Sequence, residues 1–513
     1  MNDQNRPVRN VLEYIERAAR QYPNQPAFMD EHTTITYQEL LAQSQKLGYE
    51  IAVKVAQIRR PIVVFMDKCV ECLTAFFGIA ASGNFYVCID TGMASERIRK
   101  ILDSLKPAAV IGKPTEQEWM FTEYPLFSFD TLLHSDAQPS EVLKRLHSIR
   151  AKMIDTDPLY VLYTSGSTGI PKGSVICHRS VIDYAEWAGS TFHFDHTTIF
   201  GSQTPFYFSM SVLDIYSAVR NAAALQIIPK KLFSFPIRLL EYLNEKKVTV
   251  IYWVPSALSI AADWKALDYV KLPWLRTILF AGEVMPTRQL NYWRRHVPHA
   301  VYANLFGPTE ITDIGLYYIV DRELKDEEPI PIGSACENMD AFAVTSQGTQ
   351  AGIGEQGELY FRGSFIGCGY YHDAARTKEA FVQNPLHSFY PETVYRTGDL
   401  VSLNEHGEYI YLGRKDFQVK HMGYRIELGE IETIAGAFEK LLRAVCIYDP
   451  KKDHILLLYQ GNAEKKEILF FLQKYLPSYM LPDEMIRLRS LPLNANGKID
   501  RKLLQEQYLE ETK

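Results

Sequence analysis

The sequence predicts an α/β protein: a large N-terminal domain of parallel sheets with helices and a β-rich subdomain, then a small α+β C-terminal domain. Three observations carry that reading. Short apolar runs alternate with amphipathic segments through the early chain. Beyond about residue 340 the texture changes to short alternating strands broken by glycine and charge. After GRKD (413–416) a separate strand and helix pattern begins.

Taken in order, VLEYIERAARQYP (11–23) repeats its apolar residues at three and four, and a proline ends the helix. ITYQELLAQSQKLGYEI (35–51) reads as a strand running into a helix. PIVVFM (61–66), AAVIG (108–112), VTVIYWVP (248–255) and TILFAG (277–282) are apolar runs of the kind that form buried parallel strands. GELYFRG (357–363) and EYIYLGRKDFQV (408–419) belong to the β-rich part. The last segment holds an extended piece (FQVK), two helices (ELGEIETIAGAF, EKKEILFFLQKYL), an apolar strand (HILLLYQG) and a charged helix after PLNANGKID. The expected domains are therefore 1–415 and 416–513, with the boundary in GRKD.

Composition excludes several classes. The chain has 513 residues, 47% hydrophobic and 23% charged, which suffices for sizeable cores. A net charge of −6 gives no basic excess for nucleic acid. No uninterrupted apolar run reaches the eighteen or so residues of a spanning helix, and MNDQNRPVRN lacks the apolar centre of a secretory signal. The seven cysteines are scattered and odd in number, so reduced thiols and a cytoplasmic location are expected. Cys69 and Cys72 have CxxC spacing, but with no second pair and no nearby histidine they read as thiols on a core helix.

YTSGSTGIPKG (163–173) is phosphate-binding chemistry by composition. Thr164, Ser165, Ser167 and Thr168 supply hydroxyls, while Gly166 and Gly169 let backbone amides approach an anion. It is not a Walker A loop, because Lys172 is followed by glycine rather than Ser or Thr. ANLFGPTEIT (303–312) sets an aromatic ring beside a turn, a threonine and a glutamate: a stacking face and a carboxylate for Mg²⁺. YRTGDL (395–400) offers Asp399 in a turn, suited to a ribose diol; GRKD adds Arg414, and NGK places Lys498 far down the chain.

Together these motifs, with LTAFFGIAASGNFYVCID (73–90), KHMGYRIELGEIE (420–432) and LPSYMLP (476–482), resemble the adenylate-forming superfamily along nearly the whole chain. Within it the chain is most similar to stand-alone amino-acid-activating enzymes, the D-alanine–D-alanyl carrier protein ligases, and to nonribosomal peptide synthetase adenylation domains; FYFSMSVLDIYSA (206–218) and TILFAGEVMP (277–286) carry that likeness. The resemblance implies ATP-dependent activation of a small carboxylic acid to an acyl-adenylate with release of pyrophosphate. Transfer to the phosphopantetheine thiol of a carrier protein follows. It implies ATP and Mg²⁺ as the nucleotide and metal.

By motif match, residues 164–169 and Lys172 would hold the β- and γ-phosphates. Asn304, Leu305, Phe306, Gly307 and Pro308 would frame the adenine, with Phe306 stacking. Thr309 would touch the α-phosphate, Glu310 would bind Mg²⁺, and Asp399 would take the ribose with help from Tyr411 and Arg414. Lys498 would bridge the reacting carboxylate and phosphate. A swing about Asp416 would then bring Gly423 to the thiol tunnel.

The acid pocket would be lined by Phe208, Ser209, Met210, Leu213, Tyr252, Leu279, Ala281, Leu305, Asp313 and Ile314. Two positions depart from the family. Ser209 stands where its α-amino-acid enzymes carry the aspartate that pairs with the ammonium, and Ala281 stands where the D-alanine enzymes carry a small-pocket cysteine. A hydroxyl cannot neutralise an ammonium, and a buried charge without its partner costs about 3–5 kcal/mol. Asp313 is the pocket's own carboxylate. The expected substrate is therefore an amino acid whose amine is placed differently; the alternatives are an aryl, hydroxy or other non-amino acid, or transfer to free coenzyme A.

Overall fold

The computed structural model describes residues 7–113, 118–134, 136–165, 170–415, 418–492 and 499–509. The chain divides into two compact units, one of residues 1–91, 105–162 and 173–413, the other of 92–104, 163–172 and 414–513. The second unit thus takes two short N-terminal pieces in addition to the expected C-terminal stretch.

In the first unit the apolar runs form parallel strands, as their two-sided burial demands. Pro61–Phe65 lies between Phe85–Ile89 and Ala109–Gly112 in a six-stranded sheet. Val250–Trp253 lies between Ile199–Ser202 and Thr277–Phe280 in a nine-stranded sheet, and Val301–Phe306 follows Thr277–Phe280 in parallel. The β-rich part is antiparallel: Met339–Val344, Gln356–Gly363, Thr393–Leu403 and Phe381–Gln383 in order, with Tyr409–Arg414 on the third.

Local chemistry sets the helices. Leu12–Gln21 buries Leu12, Tyr14, Ile15 and Ala18 on one stripe. Tyr37–Val55 starts at Thr36, whose hydroxyl accepts from the Glu39 amide while Glu39 reaches back to the Thr36 amide, a reciprocal cap. Val70–Ala81 is buried nearly all round and carries Cys72 in the core, whereas Cys69 is the half-buried residue before its first turn and not a thiol on the helix. Among the described residues no helix is long and apolar enough to cross a membrane.

The second unit has its own core of Ile426, Ile431, Ile455, Leu457, Ile468 and Leu472. Its sheet runs Leu441–Asp449, His454–Gly461, Glu484–Arg487. The hairpin Gln418–His421 with Tyr424–Glu427 turns through Met422 and Gly423, both at positive φ (49° and 80°), the conformation a two-residue hairpin loop requires. Arg97 donates to Glu430 at 2.7 Å with both side chains 3% exposed, a paired charge inside this unit.

Candidate active site

The site of the first unit is built on the end of strand Val301–Phe306. Asn304 is buried, and its amide donates to the Pro331 carbonyl at 2.8 Å, which fixes the strand end to the segment beside it. Phe306 faces Tyr411, ring centroids 5.7 Å apart. Gly307 admits no side chain: a Cβ there would lie 2.3 Å from the Asp313 carbonyl oxygen and 2.7 Å from Ile314 Cα. The chain then makes a short 3₁₀ turn, Thr309–Ile311.

Glu310 is fully buried. Tyr370 donates to its Oε1 at 2.6 Å, and the Gly367 amide donates to its backbone carbonyl at 2.9 Å. Hard oxygen donors suit Mg²⁺, which takes one or two carboxylates and fills the rest of its shell with water and phosphate oxygens. One held carboxylate beside the Thr309 hydroxyl fits that chemistry. Among the described residues no group of three or more His, Cys, Asp or Glu makes a protein-only cage.

Two residues further on the backbone is strained. Thr312 has φ 73° and ψ −56°, and the Asp313 amide donates to the Ile311 carbonyl at 2.9 Å across it. That is a γ-turn of the rarer hand, unfavourable for a β-branched residue by about 1–3 kcal/mol. The Thr312 hydroxyl holds it by donating to the Phe365 carbonyl at 2.7 Å. The turn delivers Asp313 into a buried position, where its Oδ2 accepts from Tyr184 at 2.8 Å and from Tyr252 at 3.0 Å. Burial first, then the Asp313 charge, hold both phenols well above the ordinary tyrosine range, so they stay donors. Tyr184, on helix His178–Thr191, is the residue sequence reasoning missed. Tyr252, expected among the pocket-lining residues, buries its ring while its hydroxyl faces the carboxylate.

The rest of the expected wall is buried: Met210, Leu213, Leu279, Ala281, Leu305 and Ile314. Phe208 rests against the Tyr207 ring at 4.7 Å. Ser209 is half-buried and accepts a hydrogen bond from Thr309 Oγ1 at 3.4 Å. A buried carboxyl also escaped sequence reasoning. Asp214, buried on helix Ser211–Arg220, has its carboxyl pushed up to about 8 by burial, with the Lys68 ammonium opposing. Lys68 donates to the Ser202 carbonyl at 2.9 Å and lies 5.1 Å from the Phe206 ring centroid.

Asp399 sits on strand Thr393–Leu403, where residues 397–399 bulge opposite Leu359. Its amide donates to Thr397 Oγ1 at 2.9 Å, and Gly398 takes φ 76°. The bulge aims a side chain that a regular ladder would have placed otherwise.

In the second unit, Thr164 ends strand Pro158–Thr164 and Lys172 opens strand Lys172–Cys177, so the glycine-rich loop joins two strands. The Ser165 hydroxyl donates to the Arg425 carbonyl at 2.6 Å and accepts from the Glu427 amide at 3.2 Å. Arg414 closes strand Tyr409–Arg414, and Gly423 is the hairpin turn described above. Gly166, Ser167, Thr168, Gly169, Asp416 and Lys498 lie outside the described residues.

Fold and motifs define the class. Residues 15–371 match the AMP-binding enzyme family, and the chain belongs to it. Among individual proteins it is 30% identical over 512 residues to the D-alanine–D-alanyl carrier protein ligase of Bacillus licheniformis, covering 97% of this chain and 99% of that one. It is 29% identical over 515 residues to tyrocidine synthase 3 of Brevibacillus parabrevis, covering 97% of this chain and 8% of that one. A solved NRPS protein containing adenylation and PCP domains, bound to a vinylsulfonamide inhibitor, superposes with a TM-score of 0.83 at 23% identity, over 97% of this chain and 84% of that one. The superfamily read from the motifs is the one the chain belongs to.

Proposed function

We propose that this protein activates a small carboxylic acid bearing an amine away from the usual α position. It uses ATP, forms the acyl-adenylate, and passes the acyl group to the phosphopantetheine thiol of a carrier protein. The observation that carries the substrate class is the buried Asp313, set between two tyrosine hydroxyls, while Ser209 leaves the family's amine position without a charge.

A carboxylate oxygen of the substrate attacks the α-phosphorus of ATP, the bond to the β-phosphate bridging oxygen breaks, and pyrophosphate leaves. The reaction needs two anions brought together and charge neutralised in the transition state. Thr309 donates to the α-phosphate. Residues 164–169 with Lys172 hold the leaving pyrophosphate. Phe306 and Tyr411 flank the adenine, Asp399 and Arg414 take the ribose, and Lys498 offsets the repulsion between carboxylate and phosphate. Glu310, fixed by Tyr370, would hold Mg²⁺, which supplies positive charge to the phosphates when bound. For the second half-reaction the C-terminal residues swing about Asp416 and bring the Gly423 turn to the incoming thiol. The family membership and the similarity to carrier protein ligases support this sequence of steps.

A second reading has an observation of its own. Asp313 Oδ2 already accepts two hydrogen bonds, which suits a pocket that orients a neutral hydroxy or aryl acid through the tyrosines. ATP–pyrophosphate exchange across α-amino, β-amino, hydroxy and aryl acids separates the two. A best substrate without a cation overturns the first. Thioester formation on a carrier protein against free coenzyme A tests the acceptor.

A further inference from the structure

Within the second unit, a buried histidine between two carboxylates holds the turn of the Gln418–Glu427 hairpin. Met422 and Gly423, the two residues of that turn, both take positive φ, and Met422 does so with a side chain, a conformation that needs support. The support is Asp453, in the turn between strands Leu441–Asp449 and His454–Gly461. Its Oδ2 accepts from the Met422 amide at 3.3 Å and its Oδ1 from His421 Nδ1 at 3.0 Å. The Tyr448 hydroxyl lies 2.9 Å from the Lys420 carbonyl and 2.5 Å from the same Asp453 oxygen. Residues 420, 421 and 422 are thus gripped in succession by one strand and the turn that follows it. On the other edge of the ring, His421 Nε2 lies 3.8 Å from Asp483 Oδ2, and the His421 side chain is 4% exposed. Asp483 is itself fixed: its carboxylate accepts from the Ile455 amide at 2.8 Å, and its amide donates to the Ile455 carbonyl at 2.9 Å.

Burial is the largest influence on the ring and works against its charge. The hydrogen bond and charge of Asp453, with the charge of Asp483, outweigh it and hold His421 above the ordinary histidine value. Tyr448 meets the ring edge-on, centroids 6.4 Å apart. Helix Leu428–Gly436 also packs on the hairpin, but its acids are engaged elsewhere: Glu430 with Arg97 and Glu432 with Arg501. As an imidazolium His421 serves both carboxylates. As a neutral ring with its proton on Nδ1 it keeps Asp453 and turns a lone pair toward Asp483. The clamp is therefore complete below the raised His421 value and loosens as the pH climbs through it.

We infer that His421 is a positioning residue for the transfer half-reaction: its ring, pinned between Asp453 and Asp483, holds the Met422–Gly423 turn in the form that meets the thiol. This rests on the role proposed above for the Gly423 turn. In that reading adenylation does not use the turn, so the two half-reactions part in their response to His421.

The test uses the full chain, His421→Gln and Asp483→Asn. The acyl-adenylate is formed with ATP and the best acid of the exchange panel, then chased with phosphopantetheine in a single turnover from about pH 6 to 9. Dividing the parent rate by that of His421→Gln at each pH cancels the ionisation of the acceptor thiol. The ratio is expected to stand at about tenfold or more on the acid side and to fall toward unity as the pH rises, while ATP–pyrophosphate exchange is the same in both. Asp483→Asn keeps an oxygen for the Ile455 amide but removes one counter-charge, so it should move that fall to lower pH. A ratio flat with pH, or an equal loss in exchange, overturns the positioning role. NMR of isotope-labelled histidine, with His421 assigned by its absence from His421→Gln, should show it titrating above about 6.5; titration at or below that value overturns the clamp. A parent that forms the adenylate yet passes it to neither phosphopantetheine nor coenzyme A overturns the functional reading instead, and the NMR titration then decides the clamp by itself.

Discussion

Replacing Asp313 with asparagine removes one negative charge and almost no volume. The two tyrosine hydroxyls at 2.8 and 3.0 Å keep an oxygen acceptor, so each bond drops from a charge-assisted one of about 1.5–3 kcal/mol toward a neutral one of about 1 kcal/mol. The fold therefore survives with a modest loss of stability. A substrate ammonium loses its counter-ion in a pocket walled by Met210, Leu213, Leu279 and Ile314, all buried. A charge left unpaired there costs about 3–5 kcal/mol, roughly two to four decades in kcat/KM. The assay is ATP–pyrophosphate exchange with the best acid of the panel and with its isostere lacking the amine. For Asp313→Asn the amine-bearing acid is expected to lose at least about a hundredfold, mainly through KM, while the isostere changes by less than about threefold. If the variant activates the amine-bearing acid as the parent does, the pairing is wrong and the tyrosines alone read the substrate.

Four further outcomes are expected. Lys498→Ala should slow exchange by about 10²–10³, the size of one preorganised transition-state contact, and leave thioester formation from supplied acyl-adenylate unchanged; equal loss in both steps contradicts its role. Gly307→Ala should abolish exchange, because the new Cβ meets backbone atoms of 313 and 314 that cannot step aside; a crystal structure of the variant would show the γ-turn displaced. His178 is buried, and burial aided by Arg150 holds it down to about 3, against about 6.5 when unfolded. Its contribution to stability is present above 6.5 and lost as pH falls toward 3, about 2 kcal/mol between pH 6.5 and 5; urea unfolding of His178→Phe should lack that slope. Ser209→Asp should gain activity with ordinary α-amino acids, read in the same exchange panel, and no gain with any of them contradicts the assignment of position 209.

The strands were legible because a buried parallel strand has no polar face to confuse the reading, as in PIVVF and TILF. The stretch 303–312 is constrained for a different reason: Gly307 tolerates no side chain, so its neighbours are tied to one geometry. Bulges and turns were not legible. Asp399 owes its aim to an irregularity opposite Leu359, which leaves no mark in hydrophobic period. Tyr184 was invisible for want of any local signal; its partner lies 129 residues away.

The neutral residue at 209 and the carboxylate at 313 are best understood as one change. Thr309 lies between them in the chain's geometry: its hydroxyl reaches Ser209 at 3.4 Å, and the strained turn that follows it aims Asp313. Two ionised carboxylates in one buried pocket repel, and one of them would take up a proton near neutral pH. A chain that places its acid at 313 is therefore better served by a neutral residue at 209, and serine adds a hydroxyl that Thr309 can bind. Moving the charge also moves where a substrate cation would sit relative to its carboxylate, given the α-phosphate contact proposed for Thr309. Combining Ser209→Asp with Asp313→Asn should for that reason favour α-amino acids more than Ser209→Asp alone. Equal preference in the two variants would mean that the carboxylates do not sense one another.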